Sequence, residues 1–197
     1  MSTGLLVEFG GLPATGKSTL AGRLAAETRA VWLRIDEIEG ALRRNGLTPD
    51  QTGVAAYSVA HDVAANQLKR GLTVIADAVN PVDAARAGWR DLAASVNCEH
   101  LVIETRCSDS AEHRRRVETR DNDLPGWVYP TWDQVRETAL SYEPRTDDRL
   151  TLDTTRAAET SYEEIVAFLQ HRSRALGHDL RLRRRQSEEI GGGELSR

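Results

Sequence analysis

Cysteine and long apolar stretches are scarce in this 197-residue chain. The two cysteines, Cys98 and Cys107, fit neither a metal-binding spacing nor a secreted disulfide framework, so we interpret both as reduced structural thiols. No run approaches the roughly 18 apolar residues that a membrane-spanning helix needs. The opening residues Met-Ser-Thr-Gly lack the basic and apolar regions of a secretory signal. These absences predict a cytoplasmic protein that does not enter a membrane.

Lysine is also rare, because Lys17 and Lys69 are the only two and every other strong base is an arginine. A lysine at position 17 therefore indicates that a compact ammonium group is needed there. The formal net charge of −4 argues against a broad nucleic-acid-binding surface, although it does not exclude a local basic channel. With 40% hydrophobic and 28% charged residues, the composition is that of an ordinary globular protein of one domain.

Residues 11–18 read Gly-Leu-Pro-Ala-Thr-Gly-Lys-Ser, which is a complete P-loop motif. Its two glycines permit a tight loop whose backbone N–H groups face phosphate oxygens. The motif's lysine reaches the outer phosphates, and its serine hydroxyl binds Mg²⁺. An apolar run precedes the loop and a segment of helical spacing follows it, as the motif requires. The predicted nucleotide-binding residues here are Gly11, Leu12, Pro13, Ala14, Thr15, Gly16, Lys17, Ser18 and Thr19.

Short apolar runs alternate with segments of helical spacing along the chain. We predict strands at 5–10, 31–35, 73–77, 100–106 and 149–153. We predict helices at 17–28, 37–45, 52–70, 82–95, 109–121, 131–142 and 159–173. This alternation predicts an α/β fold whose five-stranded parallel sheet carries helices on both faces. We expect one domain over residues 1–173 and a charged, flexible tail over 174–197.

Two aspartates, Asp36 and Asp77, each follow a predicted strand. Ligands of open parallel sheets bind at the carboxyl ends of the strands, where the P-loop also lies. We predict that Asp77, together with Ser18, belongs to a Mg²⁺ site. Asp36 is a candidate base that accepts a proton from an attacking hydroxyl. Each aspartate could instead cap the helix that follows it.

A second basic feature lies at residues 113–120, where Arg116 and Arg120 share one helix face. A loop containing proline and glycine, residues 122–130, follows directly. We predict a lid over about residues 114–130 whose arginines bind a triphosphate, because guanidinium groups match phosphate oxygens. A solvated arginine face is the alternative interpretation.

Together these motifs resemble the P-loop kinase group, which includes polynucleotide 5′-hydroxyl kinases, zeta-toxin-like kinases and small kinases of unassigned substrate among AAA-type ATP-binding proteins. The resemblance covers roughly residues 4–170. It rests on residues 11–19, on the segment 34–36, on the segment 77–86 and on the Arg116 and Arg120 pair.

The resemblance implies a three-layer P-loop NTPase fold with strand order 2-3-1-4-5. It also implies ATP and Mg²⁺ as cofactors and transfer of phosphate to a hydroxyl. By this likeness, Asp36 is the general base, Arg120 contacts the donor phosphates and Arg116 lies near the adenine. Lys17 completes the set of predicted catalytic residues.

We therefore predict an ATP- and Mg²⁺-dependent kinase that acts on a small polar acceptor. A polynucleotide 5′-hydroxyl kinase is one alternative, but Ala78 and Val79 stand where such kinases usually carry a hydroxyl-containing residue. The second alternative is a nucleotide-dependent switch or slow ATPase without transferase activity. Asp36 separates these alternatives, because a switch needs no base that faces an acceptor. The sequence names neither the acceptor nor the oligomeric state.

Overall fold

The structure is a computed structural model, and it describes residues 4–176. Its strands are β1 (Leu5–Gly10), β2 (Val31–Arg34), β3 (Thr73–Asp77), β4 (Glu99–Arg106) and β5 (Leu150–Asp153). The helices are α1 (Lys17–Thr28), α2 (Ile35–Arg44), α3 (Pro49–Lys69), α4 (Asp83–Ser95), α5 (Ser110–Thr119), α6 (Trp132–Leu140) and α7 (Ala158–Leu176).

The five strands form one parallel sheet in the order β2-β3-β1-β4-β5. The predicted fold class and strand order are confirmed. Phe9 near the end of β1 lies opposite Asp77, and Asp77 in turn lies opposite Arg34 of β2. The carboxyl ends of the three strands therefore meet at one edge of the sheet, which is where open parallel sheets bind ligands.

Alternate residues of β1 divide the core between the two faces of the sheet. Val7 and Phe9 belong to a cluster with residues of α1 and α7, among them Leu24 and Ile165. Leu6 belongs to a second cluster formed with residues of α3 and α4. Each face is thus buried by helices, as the apolar strands of a parallel sheet require.

The predicted strand boundaries agree with the structure to within one residue, whereas some helix ends differ by more. Helix α3 begins at Pro49, three residues before its predicted start, because Thr48 and Gln51 form a capping box and proline occupies the first turn. Helix α7 extends past the predicted end of the domain to Leu176. The rest of the predicted tail, residues 177–197, lies outside the described residues. Over residues 4–176, no helix is long and apolar enough to cross a bilayer.

A buried charge interrupts the apolar run of β1, because Glu8 has no exposed surface. One carboxylate oxygen of Glu8 accepts hydrogen bonds from both terminal nitrogens of Arg145, each at 3.1 Å, and from the Asn80 side-chain amide at 2.9 Å. The other oxygen lies 3.0 Å from Nε2 of His100. Arg145 therefore fixes the connector between α6 and β5, residues 141–149, to the central strand.

Replacing Arg145 with methionine should leave the Glu8 carboxylate buried without its cation. We expect Arg145→Met to lower the free energy of unfolding by about 3–5 kcal/mol, measured by urea denaturation. The matched control is Arg90→Met, which breaks an exposed ion pair with Asp83 and should cost less than about 1 kcal/mol. Equal, small losses in the two variants would contradict the importance assigned to the buried pair.

Candidate active site

The loop between β1 and α1 has the backbone conformation of a tight phosphate-binding loop. Gly11 and Gly16 have φ angles of +129° and +85°, and Ala14 has a φ of +62°. A Cβ atom added to Gly11 would lie 2.2 Å from the carbonyl oxygen of Thr105, so glycine lets this loop approach β4. The Thr15 hydroxyl donates a hydrogen bond to the carbonyl of Leu12 at 2.8 Å. The loop is thus shaped by its own short-range contacts and by β4.

The side chain of Asp77, the last residue of β3, is a buried carboxylate. It is only 1% exposed, and neither of its oxygens has a hydrogen-bond partner among the described residues. Burial raises the pKa of Asp77, while the nearby Lys17 ammonium and the Ser18 hydroxyl act in the opposite direction. The residue that caps the following helix, α4, is Val82 and not Asp77. Asp77 is therefore placed beside the two P-loop residues that were predicted to bind phosphate and metal.

Asp36 lies in the first turn of α2, at the same edge of the sheet. Arg34 occupies the N-cap position of α2, and no side-chain hydrogen bond caps this helix within the described chain. Burial is the largest cause of a raised pKa for Glu39, which lies one turn further along. The charge of Asp36 makes a smaller contribution in the same direction. Asp36 also acts to raise the pKa of Asp77, after the larger effect of burial. Asp36 thus influences the pKa of both Glu39 and Asp77, and sequence reasoning had not singled out Glu39.

The predicted lid arginines share a cavity with the P-loop. This cavity has a volume of about 410 Å³ and lies between the loop, α5 and the start of α7. Arg116 is held in its wall by Glu112, at 2.7 Å, and by the carbonyl oxygen of Thr154, at 2.8 Å. Arg120, directly after α5, also lines the cavity. Of the predicted P-loop residues, the cavity wall includes Ala14, Gly16, Lys17, Ser18 and Thr19.

Several residues of the cavity wall were missed by sequence reasoning. Thr154 and Arg156 lie in the turn after β5, and Ser161 lies in the first part of α7. The Thr154 hydroxyl oxygen lies 2.8 Å from the carbonyl oxygen of Thr15, so the turn touches the P-loop directly. The rule that ligands bind at the carboxyl ends of strands would have found this turn, had it been applied to the fifth strand as well.

The loop from residue 121 to residue 131, here called the lid loop, lies against α2 and the end of β2. The Arg43 guanidinium lies 4.5 Å from the centre of the Trp127 ring, and Arg44 donates a hydrogen bond to the carbonyl of Pro125. Arg34 forms a further ion pair with Asp123 at 2.6 Å. The lid loop thus extends from Arg120, in the wall of the first cavity, to the helix that carries Asp36.

A second cavity, of about 630 Å³, lies on the other side of the P-loop. Gly11, Leu12 and Thr15 contribute to its wall. Its charged groups are already paired, because Tyr142 and Arg149 donate hydrogen bonds to Glu104 at 2.9 and 2.7 Å. Gly11, Leu12 and Thr15 line this cavity and not the one that contains Arg116 and Arg120.

The family model of the AAA domain matches residues 6–128, which is more than half of the chain. The protein belongs to this family. The predicted membership of the P-loop kinase group is confirmed at this level. No curated protein sequence matches the chain.

Solved structures with the same fold include several small P-loop kinases. A candidate kinase from Chloroflexus aurantiacus is 21% identical, with a TM-score of 0.70 over 89% of this chain and 98% of that chain. The APS kinase of Mycobacterium tuberculosis, solved with AMPPNP and APS, is 18% identical, with a TM-score of 0.64 over 86% and 99%. A gluconokinase from Sinorhizobium meliloti is 14% identical, with a TM-score of 0.64 over 90% and 98%. At these identities the likeness shows the fold alone.

Replacing Gly11 with alanine should abolish nucleotide binding, because the new Cβ atom would collide with the backbone of β4. We expect no measurable Mg-ATP binding to Gly11→Ala by isothermal titration calorimetry. The matched control is Gly46→Ala, since Gly46 also has a positive φ of +90° but has nothing within 4 Å of an added Cβ atom. That control should lose about 1–2 kcal/mol of stability and keep its affinity. Native affinity in Gly11→Ala would show that the loop does not depend on this close approach.

Proposed function

We propose that this protein is an ATP-dependent kinase that transfers the γ-phosphate to a hydroxyl group of a small polar acceptor. The observation that carries the proposal is the arrangement at one edge of the sheet. Asp77 lies near Lys17 of the P-loop, Asp36 lies in the first turn of the neighbouring α2, and two lid arginines line a cavity together with the loop. Donor-binding cations thus stand on one side and a candidate base on the other.

The cavity of about 410 Å³ is the proposed donor site. P-loop backbone groups and Lys17 would bind the phosphates, and Arg120 would add a second cation that stabilises charge on the transferring group. Arg116, fixed beside Thr154 in the turn after β5, would lie toward the nucleoside end. That the APS kinase of the same fold was solved with AMPPNP is in line with ATP as the donor.

Asp77 and Ser18 suit a Mg²⁺ ion that arrives with the nucleotide. The buried carboxylate oxygens of Asp77 have no hydrogen-bond partner among the described residues, and a divalent cation would add positive charge to that of the nearby Lys17. No set of three or more His, Cys, Asp or Glu side chains in residues 4–176 could hold a metal alone, so phosphate oxygens and water would supply the other ligands. When bound, Mg²⁺ would neutralise charge on the phosphates.

Asp36 is the proposed general base. Its carboxylate is half-buried, at the same edge of the sheet as Asp77, and it does not serve as the N-cap of α2. It is therefore available to accept the proton that the acceptor hydroxyl loses as it attacks phosphorus. A nucleotide-dependent switch would have no use for such a base.

The charges around Asp36 favour a small acceptor over a polynucleotide. The arginines of this region, Arg34, Arg43 and Arg44, are occupied by the lid loop, whereas Glu39 adds negative charge beside Asp36. Polynucleotide binding depends on a track of cations that neutralise successive phosphates. An uncharged or cationic compound with a free hydroxyl meets less repulsion here than a nucleic acid does.

The proposal is tested by supplying labelled ATP and Mg²⁺ with acceptors of four classes: sugars, nucleosides, antibiotics and 5′-hydroxyl oligonucleotides. We expect phosphate transfer to a member of the first three classes and none with Lys17→Ala, the inactive control. Salt-sensitive binding and efficient phosphorylation of the oligonucleotide would instead favour the polynucleotide kinase. ATP hydrolysis without transfer to any acceptor class would favour the switch.

Replacing Asp36 with asparagine should remove the base and keep the shape of the side chain. We expect transfer to the acceptor found in that screen to fall by about 10²–10⁴-fold, with Mg-ATP affinity unchanged. Rates are measured at saturating ATP, and affinity by calorimetry. The control is Glu37→Gln, which removes an exposed carboxylate from the same helix turn and should leave the rate unaltered. A native rate in Asp36→Asn would refute the assignment.

A further inference from the structure

Arg34, the last residue of β2, is a buried cation at the same edge of the sheet as Asp77. Its guanidinium reaches the lid loop, where Nη1 lies 2.6 Å and Nη2 lies 3.4 Å from the two oxygens of Asp123. This fork lowers the pKa of Asp123, whose hydrogen bond with Arg34 is the largest cause of the shift. Arg34 also lies opposite Asp77 in the sheet and precedes Asp36 by two residues. A single side chain thus joins the acceptor side of the site to the lid loop.

The two lid-loop residues that contact Arg34 also contact Arg120. Arg34 donates a third hydrogen bond, from Nη2 to the Tyr129 hydroxyl at 3.0 Å, and that hydroxyl donates to Asp123. The Arg120 guanidinium contacts the same two residues and lies 3.7 Å from the centre of the Tyr129 ring. Its Nη2 atom lies 3.8 Å from the Asp123 carboxylate. Asp123 and Tyr129 therefore stand between a buried arginine and an arginine of the donor cavity.

Arg120 needs such support because it follows the last residue of α5 and no longer belongs to the helix. A long side chain there has many rotamers, and ordering it upon nucleotide binding would cost affinity. Contact with a ring face and a carboxylate restricts it beforehand to the wall of the cavity, where it is only 21% exposed. The restricting groups are themselves held by Arg34, whose charge is fixed inside the protein.

We propose that Arg34, Asp123 and Tyr129 are positioning residues that hold Arg120 ready for the donor phosphates. The proposal rests on the proposed function only in that Arg120 binds nucleotide. Because Arg34 helps to position Arg120, the affinity for ATP depends on Arg34, a residue on the acceptor side of the site. Arg34 acts on the donor through two intervening side chains.

A double-mutant cycle on Mg-ATP affinity tests this dependence. The variants are Arg34→Gln, Arg120→Ala and their combination, and the dissociation constant is measured by calorimetry. We expect Arg120→Ala to weaken binding about tenfold, since it removes a charged hydrogen-bond donor. Arg34→Gln should weaken binding several-fold, and the double variant should bind no more weakly than Arg120→Ala alone. Contacting networks are non-additive in this way, whereas independent sites add.

The control cycle pairs Arg120→Ala with Arg44→Gln. Arg44 holds the same loop but contacts it at Pro125, so its effect on affinity should add to that of Arg120→Ala. Loosening the loop in general would make both cycles non-additive, and that result would overturn the proposal.

Two variants of Tyr129 provide a second test, which stands even if Arg34→Gln fails to fold. Tyr129→Phe keeps the ring against Arg120 but loses the hydroxyl held by Arg34, so it should weaken binding no more than Arg34→Gln does, whereas Tyr129→Leu also removes the ring and should weaken binding further. Thermal unfolding of each variant checks that the fold is kept. The same dissociation constant for Tyr129→Phe and Tyr129→Leu would overturn the proposal, because the ring would then have no part in holding Arg120.

The outcomes also separate this proposal from the proposed function. If Arg120→Ala weakens Mg-ATP binding and its cycle with Arg34→Gln is additive, only the positioning role is wrong. If Arg120→Ala binds like the native protein while Lys17→Ala does not, the donor role of Arg120 is wrong and the positioning role falls with it.

Discussion

The desolvated carboxylate of Asp77 is the constraint on which the arrangement of the site depends. A buried charge without hydrogen bonds is costly unless a counter-charge lies close by, and Lys17 is the nearby cation with the largest opposing influence on its pKa. The parallel sheet brings the two together, because the end of β3 lies next to the end of β1 from which the P-loop begins. A cation that accompanies the nucleotide would complete the compensation. Binding of the proposed donor would thus offset part of the electrostatic cost of this buried carboxylate.

The cavity shared by the P-loop and the two arginines could be predicted in large part from the sequence, because the determinants of its wall are local. Glycines, lysine and serine at fixed spacing specify the loop, and the strand that precedes Asp77 is a short apolar run. Arg116 and Arg120 could be found because they lie on one face of a helix that leads into a loop. The turn with Thr154 was missed, although its position after a strand gave a signal.

The links between distant segments could not be predicted in the same way. Arg34 and Asp123 are separated by 89 positions, and no periodicity relates one to the other. Glu8 stands in an apolar run where only the folded structure supplies Arg145, 137 positions away. The early start of α3 is a different kind of miss, since Thr48, Pro49 and Gln51 form a local capping signal. Ion pairs between residues far apart in the chain are thus the contacts that sequence patterns do not predict. The network that reaches Arg120 is one of them.

The buried pair of Glu8 and Arg145 also constrains how this protein can change over generations. Losing Arg145 alone leaves the Glu8 carboxylate in the core without this cation, whereas an apolar pair of similar volume in both places can be tolerated. The route between the two states passes through a protein that folds poorly. The residues at positions 8 and 145 should therefore change together. A related protein with an apolar residue at one of these positions should also have an apolar residue at the other.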